Sequence, residues 1–164
     1  MISAKDIETI RSLVRAGSDY VVIKRLLGET QWEIEADEVD LGFLRVFIPD
    51  ADDECYRLLI GYRDPDHPPY CLLTFALVPD SEEHLPSFNA MFDSAAQSLT
   101  RFFGVPSASG HRQATFRTWP YSYRRWSLPE GEFTLVQDEF DIQDGMDVTL
   151  WMQPVGTPLK ELVH

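Results

Sequence analysis

The residues best suited to chemistry in this chain are not spaced for it. His67, His84, His111 and His164 stand singly. None lies in His-x-His or His-Glu-x-x-His spacing, so a zinc or iron site has no signature. Asp138, Glu139, Asp141, Asp144 and Asp147 approach a calcium loop, but Gln143 falls where the alternating oxygen ligands need their third member. Asp144-Gly145 reads better as a turn. Paired carboxylates for acid–base work carry no specificity in a chain with 27 acidic residues. There is no Gly-x-Ser-x-Gly elbow, no phosphate-binding Gly-x-x-x-x-Gly-Lys loop and no Gly-x-Gly-x-x-Gly fingerprint. The expectation is a protein without catalytic residues, metal or cofactor.

Cys55 and Cys71 are the only cysteines. Both lie in apolar stretches, a setting that raises a thiol pKa and makes it inert. They fall on two strands that flank the loop Asp64-Pro65-Asp66-His67-Pro68-Pro69. Pairing about that loop sets Cys71 opposite a residue near Tyr62 and leaves Cys55 on the order of 20 Å away at strand rise. A disulfide needs Cα atoms within ~7 Å. Two free, buried thiols and a reducing compartment follow.

One segment combines residue types that dominate binding hot spots: Arg117-Thr118-Trp119-Pro120-Tyr121-Ser122-Tyr123-Arg124-Arg125-Trp126. If extended, it places Trp119, Tyr121, Tyr123 and Arg125 on one face and Ser122, Arg124, Trp126 and Leu128 on the other. Either these aromatics are core and the arginines pair with carboxylates of the neighbouring Asp138–Asp141 stretch, or the first four side chains anchor a protein partner. A nucleic-acid or small-anion site is a third use, and the charge of the chain opposes stacking on nucleic acid.

That charge is −13, and it is uneven. Between Arg101 and Pro129 there are basic residues (Arg101, Arg112, Arg117, Arg124, Arg125) and no acidic one. Residues 29–54 are the reverse: Glu29, Glu33, Glu35, Asp37, Glu38, Asp40, Asp50, Asp52, Asp53 and Glu54 face only Arg45. Such a field repels nucleic acid and anionic membrane and attracts basic proteins. Asp52, Asp53 and Glu54 are the expected steering charges.

The elements that position these groups follow from hydrophobic period. The chain of 164 residues suits a single domain, residues 1–164, without repeats or linkers. The start turns polar at once, no apolar run reaches the ~18 residues of a membrane span, and the expected location is the cytoplasm. Ser3-Ala4-Lys5-Asp6 resembles a capping box before Ile7, Ile10, Leu13 and Val14, with Gly17 as the stop. Ser18–Leu27 is a second short helix, although Val21-Val22-Ile23 also suits a strand. Trp32–Glu35, Phe43–Ile48, Tyr56–Tyr62 and Tyr70–Val78 read as strands, the last apolar on both faces and hence covered on both sides. Phe88, Met91, Phe92, Ala95, Leu99, Phe102 and Phe103 recur at helical steps after Ser87, the expected N-cap, and stop at Gly104. Ser107–Gly110 reads as a loop. Tyr121–Leu128, Phe133–Ile142 and Val148–Met152 read as strands, with an apolar face that switches between Leu135 and Phe140. The fold class is α+β: a largely antiparallel, twisted sheet of about seven to eight strands, with N-terminal helices and one long central helix packed on it.

Residues 87–153 resemble a layout found in small bacterial immunity proteins, which neutralise a toxin made by the same cell. The likeness rests on Leu99-x-x-Phe102-Phe103-Gly104-x-Pro106, the arginine- and aromatic-rich strand, Phe133-Thr134-Leu135-Val136-Gln137-Asp138-Glu139, and Val148-Thr149-Leu150-Trp151-Met152. It implies a non-enzymatic protein that binds and occludes a toxin, and acidic members of such families often block basic nuclease toxins. A small acidic secretion chaperone and an enzyme with an unrecognised site are the alternative expectations. Toxin, effector or metabolic genes nearby would separate the three.

Overall fold

The computed structural model describes residues 1–50, 55–63, 68–113, 118–139 and 145–157. Two helices open the chain. In α1 (Ala4–Ala16), the Ser3 hydroxyl accepts from the Asp6 N–H, and Gly17 ends the helix at φ 59°, a left-handed conformation that suits glycine. In α2 (Tyr20–Gly28), Asp19 caps through the Val22 N–H. The Val21-Val22-Ile23 run is therefore helical: Asp19 secures the start, and Ile23 and Leu27 bury one stripe.

Four strands follow: β1 (Glu33–Glu38), β2 (Phe43–Pro49), β3 (Cys55–Gly61) and β4 (Tyr70–Val78). A short 3-10 turn leads into α3 (Leu85–Phe103). The helix starts earlier than Ser87, because Pro86 fits its first turn, where no N–H is needed. Then come β5 (Ala108–Gln113), β6 (Pro120–Leu128), β7 (Gly131–Asp138) and β8 (Met146–Pro154). The expected loop at Ser107–Gly110 is instead largely strand: Ala108 to Gln113 pair with Arg125 to Pro120. The expected β7 extension to Ile142 and the face switch at Phe140 lie outside the described residues.

All eight strands form one open antiparallel sheet in the order β1-β2-β3-β4-β8-β7-β6-β5. The helices bury one face of it. Leu44, Val46, Ile48, Leu58, Ile60, Leu73, Leu135, Val148, Leu150 and Met152 meet Ile7, Ile10, Leu13, Phe88, Phe92 and Leu99 in one hydrophobic cluster. Phe103 stands edge-on to both Trp126 and Phe133, at centroid distances of 5.7 and 5.2 Å. The β6–β7 turn is tied to α1 by Glu130, whose buried side chain accepts from Arg11 Nε at 3.0 Å and Arg15 Nη1 at 2.9 Å.

Three expectations change at this level. A register shift between Thr74 and Ala76 puts Ala76 and Val78 on the same face as Cys71 and Leu73. The strand β4 is central; on its other face Leu72 is buried as expected, while Leu77 is 52% exposed, so the cover there is partial. Cys71 lies opposite Ile60, close to the expected register, and is buried. Cys55, at the first residue of β3, is exposed rather than buried; both thiols are free.

Candidate partner-binding surfaces

The aromatic–basic segment is β6 and the residues before it. Simple alternation would put Trp119, Tyr121, Tyr123 and Arg125 together, and the structure divides them. The β6–β7 ladder ends at Tyr123 opposite Val136. Beyond it the Ser122 N–H donates to Gln137 Oε1 at 2.8 Å, and Gln137 Nε2 donates to Asn89 Oδ1 on α3 at 2.8 Å. This side-chain bridge replaces a ladder bond, and the strand turns locally. Tyr121 swings to the helix side, fully buried, with its ring edge-on to Phe88 at 5.9 Å. Its hydroxyl donates to Glu139 Oε2 at 2.9 Å. Trp119 is half-buried against the core. Tyr123 and Arg125 are half-buried on the opposite, helix-free face, where Arg125 Nε donates to Thr134 Oγ1 at 2.9 Å.

The basic charges of this region are largely engaged within the protein. Arg112 is 6% exposed, lies 5.3 Å over the Tyr121 ring, and pairs with Asp138 at 2.6 Å. Arg124 donates to the Tyr123 carbonyl at 2.8 Å and stacks over Phe92. His111 Nδ1 lies 3.2 Å from Ser122 Oγ, an exposed cross-strand pair. Among the described residues no group of three His, Cys, Asp or Glu side chains is placed to hold a metal ion, and no helix is long and apolar enough to cross a membrane.

No family model, curated protein or solved structure matches the chain.

Local geometry therefore has to carry the functional argument, and the acidic belt is its first element. Strand β1 borders the sheet on one side, and four of its six residues are acidic. Asp37 belongs to the fold: it accepts from the Tyr20 hydroxyl at 2.7 Å and from Lys24 Nζ at 3.2 Å. The Tyr20 bond, with help from Lys24 and against a smaller opposing effect of burial, holds the Asp37 carboxyl below its ordinary 3.8. The same bond, with burial and the Asp37 charge adding to it, pushes Tyr20 up to about 12. Asp50 is taken by the amino group of Met1. Glu33, Glu35, Glu38 and Asp40 remain exposed and make no ion pair. Asp52, Asp53 and Glu54 lie outside the described residues.

The helix-free face is the second element. The register aligns two complete rows across the sheet. One runs Ala36, Arg45, Leu59, Leu72, Trp151, Thr134, Arg125, Ala108. The other runs Glu33, Phe47, Arg57, Thr74, Thr149, Val136, Tyr123, Gly110. Polar and apolar side chains thus lie in adjacent lines, with Arg45 and Arg57 exposed near the β1 side. Sequence alternation identifies most of these positions, but the pairing that makes rows of them is set by turns and by the order of strands.

Proposed function

We propose that this is a non-enzymatic binding protein whose partner is a basic protein, and that it acts as an immunity protein by occluding a bacterial toxin domain. The observation that carries the reading is the β1 edge, where exposed Glu33, Glu35 and Glu38 stand uncompensated on a strand with no outer neighbour among the described residues. An open strand edge offers unpaired N–H and C=O groups to an added strand. Its acidic side chains repel a second copy of itself and favour a Lys- and Arg-rich one. The net charge of −13 adds long-range attraction for the same partner. The layout resemblance over residues 87–153 supplies the toxin class.

The aromatic–basic segment takes a smaller part in this reading. Tyr121 stabilises the fold, and Tyr123 and Arg125 sit six strands from β1, on the order of 30 Å along the sheet. They serve a partner that extends over the helix-free face, while first contact is made at β1, with Asp52, Asp53 and Glu54 as further steering charges.

Co-expression with any toxin domain found encoded beside its gene tests the proposal. The expected result is rescued growth and a complex that weakens with salt. Growth arrest in the presence of abundant folded protein, with no complex on gel filtration, would overturn it.

A further inference from the structure

The helix-free face contains a cleft whose chemistry differs from that of the acidic edge. It lies across β2, β3, β4 and β8 and has a volume of about 450 Å³. That is within the ~300–1,000 Å³ typical of small-molecule sites. Its lining includes Arg45, Arg57, Leu59, Leu72, Thr74 and Thr149.

The two arginines are the first sign of a ligand. In a chain with 27 acidic and 14 basic residues, each is exposed and neither pairs with a carboxylate. Instead their guanidinium groups stack over Phe43 and Phe47, at 5.3 and 5.6 Å from the ring centroids. Stacking fixes the guanidinium plane and leaves its N–H fork free, the geometry that recognises an oxyanion. Arg45 lies opposite Leu59 and Arg57 opposite Phe47, so the two are diagonal neighbours on adjacent strands.

The second sign is a line of polar groups. Thr149 is 3% exposed and lines the cleft. Thr149 is directly opposite Thr74, and Thr74 is directly opposite Arg57. A guanidinium and two hydroxyl groups therefore stand in line on three neighbouring strands. Two residues along, Leu59 and Leu72 face each other as an apolar floor.

We infer that this cleft binds an organic carboxylate, with its anionic head over Arg57, Thr74 and Thr149 and its apolar body along Leu59 and Leu72. Arg45 supplies the second positive charge at the rim. Glu35 and Asp147 also line the cleft and oppose a ligand with several negative charges. A protein partner that inserts an acidic side chain would meet the same head site, but the apolar floor beside it fits the body of a small molecule. The proposed head and body contacts lie on β2, β3, β4 and β8, and only Glu35 of β1 is shared with the partner reading.

The test is a titration of the whole protein, followed by amide chemical shifts, with octanoate, acetate, octylammonium and an acidic hexapeptide as probes. Octanoate is expected to give saturable shifts at Leu59, Leu72, Thr74 and Thr149, with acetate much weaker and octylammonium absent from these residues. Arg57→Met should weaken octanoate at least about tenfold, as loss of a charged hydrogen bond does, and Thr149→Val should weaken it less. Melting temperatures show that both variants are folded. Equal binding of octylammonium, an unchanged affinity in Arg57→Met, or no saturation by octanoate at its solubility limit would overturn the assignment. Saturation by the hexapeptide in preference to octanoate would reassign the cleft to a protein partner.

Discussion

The two faces of this sheet are built from the same strands and differ in almost everything else. Facing the helices, Leu58, Ile60, Leu73, Leu150 and Met152 are at most 1% exposed and interlock with α1 and α3. One residue along each strand, Leu59, Leu72, Thr74, Thr149 and Trp151 form a face that carries arginines and threonines. The alternation of a strand allows this, because adjacent side chains answer to different environments. One face specifies the fold and tolerates little change. The other is buried at Thr134, Val136 and Leu72 and open toward β1, where the exposed, unpaired Arg45 and Arg57 are the place to seek ligand recognition.

The comparison breaks first at Tyr121 and Tyr123. Tyr121→Ala removes a fully buried ring and its bond to Glu139, and should cost ~3–5 kcal/mol in urea unfolding. Tyr123→Ala, on the helix-free face, should cost clearly less. Similar losses at the two positions would mean that both faces are core. Leu73→Ala is expected to cost ~2–5 kcal/mol, while Arg57→Met should stay within ~0.5 kcal/mol.

A pH experiment sharpens the same contrast. Burial of Glu130 would by itself raise its pKa, but a backbone N–H and the guanidinium groups of Arg11 and Arg15 outweigh it and hold the carboxyl below its ordinary 4.5. A carboxylate with a depressed folded pKa contributes stability above the unfolded value, and that contribution disappears as pH falls through the folded one. Stability should therefore fall progressively below about pH 4.5, and Glu130→Gln should flatten part of that fall. An identical acid profile in Glu130→Gln would remove this tie between the β6–β7 turn and α1.

The cysteines give the smallest and cleanest contrast. Burial pushes the Cys71 thiol up to about 12, while Cys55 is exposed. A thiol reagent should find one fast site in the native protein and two after denaturation. Two fast sites would show that the helix-covered side of β4 opens readily.

Much of this architecture is legible in the sequence, for identifiable reasons. Ser3, Asp19 and Gly17 mark helix ends through local bonds, and α3 is written in a long helical period. Strand β5 is not legible, since Ala108-Ser109-Gly110-His111-Arg112-Gln113 has no apolar alternation and is held by main-chain pairing to β6. Alternation puts Tyr121 on the wrong face for a related reason: the bridge from Gln137 to Asn89 depends on a residue 48 positions away. The acidic belt is visible as composition, but which of its members are neutralised depends on Lys24, Tyr20 and Met1 in three dimensions. The cleft was invisible, because it needs the β4–β8 pairing that joins Thr74 to Thr149.

The most direct test of the functional account replaces Glu33, Glu35 and Glu38 with lysine together and measures affinity for the toxin domain at several salt concentrations. These side chains are exposed and unpaired, so the melting temperature should be nearly unchanged. Affinity should fall strongly, and its salt dependence should flatten, because the steering charge is gone. Arg45→Met with Arg57→Met should leave that affinity unaltered. Full affinity and an unchanged salt slope in the lysine variant would contradict the assignment of the β1 edge as the binding surface.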